Sequence, residues 1–219
     1  MFEDIFKRKK PNAIKLCGYG FTDHGDKRLY ETEIMDGDFR LFVSVDGFSD
    51  VYTDLIDTYT GEPYVLYKTD ASGTFVGEIR TAVKKILEEI ADACFEQSVF
   101  KSDQADMIIK YIGDTYGDEI EFLWPKFPDN AIWRRKDNKK WYCLIMTVSG
   151  RKLGLDTDRY VEAIDLRMDP ESKEELLSKK GYYPGWHMNK NSWYTIVLDN
   201  VLSVDEIKNR IAESYRLAV

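Results

Sequence analysis

Within the stretch Tyr182–Trp193 the chain gathers Trp186, His187, Met188, Asn189 and Lys190, with Pro184-Gly185 ahead of them and Trp193 behind. Each type has a use there. A histidine can move a proton, an asparagine can donate and accept, and a lysine can meet an anion. The tryptophans and methionine can wall an apolar pocket, so Trp186, His187, Met188, Asn189 and Trp193 form a candidate ligand-binding set. Partner-binding side chains concentrate in such loops. Proton transfer needs a second positioned group, and a metal needs several ligands. The other histidine, His24, lies far off in sequence, and no Cys/His spacing accompanies either one. No catalytic residue and no metal ligand is therefore assigned. A plainer role also fits: His187 and Asn189 tie the loop to a sheet by side-chain-to-backbone hydrogen bonds, and the aromatics fill core. Pro184-Gly185 reads as a turn with the glycine at positive φ.

The second cluster is basic. Arg134, Arg135, Lys136, Lys139 and Lys140 flank Asp137-Asn138, between Ile132-Trp133 and Trp141-Tyr142. This reads as a hairpin with a cationic tip and aromatic stems. Its charges can position it on phosphates while the tip reaches a groove. Arg151, Lys152 and Lys190 extend this candidate nucleic-acid patch. Taken as exposed charges, Arg134, Arg135, Lys139 and Lys140 are expected to be replaceable by alanine at little cost in stability. The same hairpin also fits a solvated edge whose charges prevent pairing with other chains. Lys7-Arg8-Lys9-Lys10 reads as a mobile terminal arm.

Other chemistry is thinly represented. There is no Gly-x-x-x-x-Gly-Lys loop, no Gly-x-Gly-x-x-Gly and no Gly-x-Ser-x-Gly elbow, so no cofactor is expected. Asp36-Gly37-Asp38 and Asp156-Thr157-Asp158 lack the spaced oxygen ligands of a calcium loop. Cys17, Cys94 and Cys143 form no pair motif and read as buried, reduced thiols.

The elements that position these residues fall into two groups. In residues 1–96 the segments 14–22, 28–35, 39–45, 51–57 and 64–67 read as a β-meander. Val76, Ile79, Val83, Leu87 and Ile90 then form the apolar stripe of a helix. In residues 97–219 Ser102 caps a helix that Gly117 stops. Segments 119–123, 131–135, 140–148 and 161–168 read as strands. Asp169-Pro170 opens a short helix, 193–198 is a last strand, and Ser203–Glu206 reads as a capping box for a final helix. The boundary falls near 94–101. The fold expected is α+β: an antiparallel sheet with flanking helices, preceded by a small meander-plus-helix domain.

Bulk composition limits the partners. The chain is 43% hydrophobic and 14% aromatic with net charge −8, as in a folded globular protein. Residues 1–96 carry 12 Lys and Arg against 19 acids, and residues 97–219 carry 19 against 20. Neither half is basic, so any nucleic-acid contact must be a local patch. A charged N-terminus and the lack of a long apolar run predict a cytoplasmic protein that neither crosses a membrane nor partners with one.

Four stretches carry a family resemblance: Glu121-Phe122-Leu123-Trp124-Pro125, Lys140–Met146, Leu166-Arg167-Met168-Asp169-Pro170-Glu171, and Pro184-Gly185-Trp186-His187-Met188-Asn189-Lys190 with Trp193. Together they resemble the MmcQ/YjbR family over roughly residues 97–219. The resemblance implies a CyaY-like fold, also described as a double-wing DNA-binding fold, and a DNA-binding or regulatory role without catalysis. The competing expectation is a module for a protein or small ligand that uses the aromatic loop 182–194, with no nucleic acid.

Overall fold

The computed structural model describes residues 2–219. It divides the chain into a first unit ending at Lys101 and a second unit, Ser102–Val219.

In the first unit a four-stranded antiparallel sheet, in order β2-β3-β4-β5, is built from Thr22–His24, Lys27–Ile34, Phe39–Asp46 and Val51–Asp57. Buried residues alternate along β4, where Phe39, Leu41, Val43 and Val45 face a core shared with helix α2, Thr74–Cys94. The helix supplies Ile79, Val83, Leu87 and Ile90, as the stripe requires.

Several expectations fail in this unit. Residues 13–19 are helix α1, Ala13–Tyr19, rather than strand, because Asn12 Oδ1 caps the amides of Ile14 and Lys15 and Gly20 closes the helix in the left-handed region. Segment 64–67 extends the meander only at its start, where Pro63 bridges Ile56 and the Tyr64 amide donates to the Leu55 carbonyl. It turns at Leu66–Lys68 and buries Tyr67, whose hydroxyl donates to Thr53 Oγ1 at 2.9 Å. The basic stretch is not a loose arm. Lys9–Pro11 forms strand β1 paired with β6, Phe95–Gln97, and Lys9 ion-pairs Asp92 at 3.0 Å. Cys17 is exposed, whereas Cys94 and Cys143 are buried.

The second unit is the expected α+β layer. Its antiparallel sheet runs β10-β11-β9-β8-β7, from Tyr182–Pro184, Trp193–Val197, Tyr160–Arg167, Trp141–Ser149 and Ala131–Arg134. Helix α5, Val204–Leu217, packs on β8 and β9, and α3, Asp103–Tyr116, packs on α5. Ser102 and Gly117 cap α3 as read from sequence. The capping box on α5 is half formed. Ser203 Oγ accepts from the Glu206 amide, but the Glu206 carboxylate turns to Tyr182 and Arg210 instead. Segment 119–123 pairs with β7 only through Glu121 and Ile132. A short α4, Lys173–Leu177, follows Pro170. The opposite face of the sheet presents Ile132, Leu144, Met146, Val148, Ala163 and Val197, with Trp124, Trp141, Tyr183, Trp186 and Met188 packed over them. Among the described residues no helix is long and apolar enough to cross a membrane.

Candidate functional site

The basic hairpin forms where expected, but three of its five cations, Arg134, Arg135 and Lys140, are used internally. Pairing between β7 and β8 steps from Trp133 opposite Cys143 to Arg134 opposite Trp141, which leaves Tyr142 without a partner on β7. This bulge lets the Tyr142 ring meet Tyr116 and Tyr215, while Trp141 meets Trp124. Beyond it, the tip is fastened to the end of α5. Arg135 Nη1 donates to the Tyr215 carbonyl at 3.0 Å, and Asn138 Nδ2 donates to the Ala218 carbonyl at 2.7 Å. The Lys140 ammonium donates to the Val219 carbonyl oxygen. A helix C-terminus leaves carbonyls unsatisfied and carries partial negative charge, so cations and amides are the groups that cap it. Arg135 also lies 4.4 Å from the Tyr215 ring centroid and binds Asp137 through two nitrogens. That pairing raises the pKa of Arg135 and lowers that of Asp137. Arg134 ion-pairs Glu121 at 2.7 Å, and Arg151 is held by Asp158.

The expectation of uniformly exposed charge thus fails for Arg134 and Arg135. The side chains of Lys136, Lys139, Lys152 and Lys190 are exposed and, among the described residues, carry no hydrogen bond or ion pair. Lys139 takes φ of 62°, a left-handed position that Asn138 supports by accepting from the Lys140 amide.

The aromatic loop is mostly committed to packing. Its first residues form edge strand β10, so Tyr183 opposes Thr195. Trp186 and Met188 pack on the sheet, and Trp193 is buried. Arg167 stacks 4.8 Å from the Trp193 ring centroid, and its Nε donates to the Trp141 carbonyl at 2.5 Å. Burial lowers the pKa of this guanidinium. Asn189 Oδ1 accepts from the Asn191 amide, a tie within the loop rather than to the sheet. His187 is exposed at φ 59° with its ring against Trp186, and no hydrogen-bond partner accompanies it among the described residues. Gly185 is not in the left-handed region. A Cβ there would lie 2.8 Å from the Trp193 carbonyl oxygen, so its absent side chain permits a close approach of strands.

One group was missed from sequence. Asp165 sits in β9 between Leu144 on β8 and Thr195 on β11, fully buried on the face that the aromatic loop covers. Thr195 Oγ1 lies 2.5 Å from Asp165 Oδ1, accepts from the Trp186 amide at 3.0 Å and is 3.3 Å from the Pro184 carbonyl. Asp165 Oδ2 has no partner. Burial pushes its pKa up to about 8. The Cys143 thiol is likewise raised by burial and by this carboxyl. The signal was a carboxylate inside the apolar run Ala163-Ile164-Asp165-Leu166. Among the described residues no group of three or more His, Cys, Asp or Glu is placed to hold a metal.

Comparison with known proteins falls on this unit. The YjbR family model matches residues 114–217. The uncharacterized protein YyaQ of Bacillus subtilis (strain 168) is 38% identical over 110 residues, which is 50% of this chain and 93% of YyaQ. A crystal structure of a Pseudomonas syringae protein is 38% identical, covers 52% of this chain and 97% of that protein, and superposes with a TM-score of 0.51.

Proposed function

We infer that this chain, which belongs to the YjbR family through its second unit, is a non-enzymatic DNA-associated protein that meets phosphates with the tip of the β7–β8 hairpin. One observation carries the reading. Arg135, Asn138 and Lys140 clamp the tip to the end of α5, and that clamp holds Lys136 and Lys139 out as exposed, unpaired cations on an ordered turn. A rigid presenter loses less freedom on binding than a flexible tail. Lys152 and Lys190 are the further exposed cations of this unit singled out from sequence. The competing reading, a protein or small-ligand module built on 182–194, is weaker because Trp186, Met188 and Trp193 are already packed.

Fluorescence anisotropy of a labelled duplex across a salt series tests the reading. Two to four phosphate contacts correspond to a slope of log K against log salt of about −2 to −4. Affinity that stays millimolar at low salt, or ignores salt, rejects it.

A further inference from the structure

Alongside β7 runs a second feature. Phe122, Leu123 and Phe127 are 46%, 38% and 62% exposed, an unusual density of bare apolar side chains within six residues. Single exposed apolar residues need no explanation, but a cluster of them marks a contact surface. The segment is ordered. Glu121 and Ile132 exchange both backbone hydrogen bonds, Phe127 N donates to the Trp124 carbonyl, and Asn130 N donates to the Phe127 carbonyl. Trp124 is anchored edge-on against Trp141 at 5.7 Å, so it secures the loop while its neighbours face solvent.

Charge on this strip is not what the whole chain shows. Residues 119–140 carry six Lys and Arg against four acids, in a chain of net charge −8. Two of those acids are neutralised from inside, Glu121 by Arg134 and Asp137 by Arg135. Asp129 is half-buried, and Glu119 is the acid left exposed. Lys126, Lys136 and Lys139 face solvent. From Ile132, opposite Glu121, to Arg134 at the end of β7 is about 7 Å at strand spacing, and Lys136 lies in the turn just beyond.

We propose that segment 119–130 and the hairpin tip form one surface for single-stranded nucleic acid, with Phe122 and Phe127 stacking on unpaired bases and Lys126, Lys136 and Lys139 following the backbone. The inference rests on the reading of the hairpin as a phosphate binder and adds the form of nucleic acid. Bases offer their faces to aromatic rings only when unpaired, and alternation of rings with cations is how sequence-tolerant single-strand sites are built. A duplex would use the lysines and leave the rings idle.

Anisotropy with an oligothymidine of about ten nucleotides and a duplex of equal length separates the possibilities. The wild type is compared with Phe122→Ala/Phe127→Ala and with Lys136→Ala/Lys139→Ala, after each melting temperature has been checked. Phe127→Ala alone serves as the milder variant should the double one misfold. The ring variant is expected to weaken single-strand binding by about tenfold per ring, with an unchanged salt slope and unchanged duplex affinity. The lysine variant is expected to weaken both ligands and flatten both slopes. If the ring variants hold the single strand as wild type does while the lysine variant is weakened, the inference fails and the hairpin reading survives. If the wild type binds neither ligand, both fail. A wild-type dimer in sedimentation that Phe127→Ala dissociates would assign the rings to self-association, and the inference would be overturned.

Discussion

Asp165 shows what a single residue contributes to this sheet. Its carboxyl lies between Leu144 and Thr195 with no cation against it, and one oxygen has no partner. In the neutral form the acid can donate to Thr195 Oγ1, which frees the threonine proton for the Pro184 carbonyl, while the Trp186 amide still donates to Thr195. Ionisation removes that chain and leaves a buried charge. The folded pKa of about 8 exceeds the ordinary 3.8. The stabilising effect of the neutral acid is therefore complete below pH of about 4, declines as pH rises and is gone above about 8. Asp165→Asn keeps the shape without the titration. Thermal melts of the variant should lose this decline and give a higher melting temperature than wild type at pH 8. A variant that melts lower than wild type at pH 8, with the same pH dependence, would mean Asp165 is ionised and satisfied in the fold. Asp165 is not legible in the sequence because its strand shows only as an apolar run, and burial on both faces hides which side the carboxylate takes. The plainer expectation that Trp186, Met188 and Trp193 fill core matches their packing, whereas His187 and Asn189, expected to tie the loop to the sheet, do not reach it.

At the level of elements, two polar side chains on or beside α5 hold the architecture together. Ser214 Oγ accepts from the Arg167 amide at 2.8 Å and donates to the Tyr142 carbonyl at 2.5 Å, where the bulge interrupts the sheet. Ser214→Ala should strand two buried backbone groups and cost about 2–4 kcal/mol, read by chemical denaturation. A cost below about 0.5 kcal/mol would show that the strands re-pair without it. Asn138→Ala removes the cap on Ala218 and the brace on Lys140. It should cost about 1–2 kcal/mol and weaken DNA binding through loss of order at the tip, with the salt slope kept. Loss of stability without loss of affinity would detach the clamp from the function. Hairpin, strands and helices were legible because period and capping residues agree along most of the second unit. The clamp was not, because Arg135 and Tyr215 lie far apart in sequence and only the folded sheet brings them together. In the first unit, apolar residues between Ile14 and Phe21 imitate a strand, and the local caps Asn12 and Gly20 decide for helix.

Across the whole molecule, an acidic chain of net charge −8 presents exposed cations at the tip of one hairpin. Net charge of −8 repels polyanions at long range, so the proposed patch would act at contact distance, where counterion release makes affinity fall as salt rises. Cations fall into two groups. Arg134, Arg135, Lys140 and Arg151 are tied to the protein's own carbonyls and carboxylates, whereas Lys136, Lys139, Lys152 and Lys190 are not. The most direct test is the salt slope of DNA binding for Lys136→Ala/Lys139→Ala against wild type. The melting temperature should stay unchanged and the slope should shrink in magnitude by about 1.8, from two lost phosphate contacts. A slope and affinity equal to wild type would contradict the reading of the hairpin as a phosphate binder.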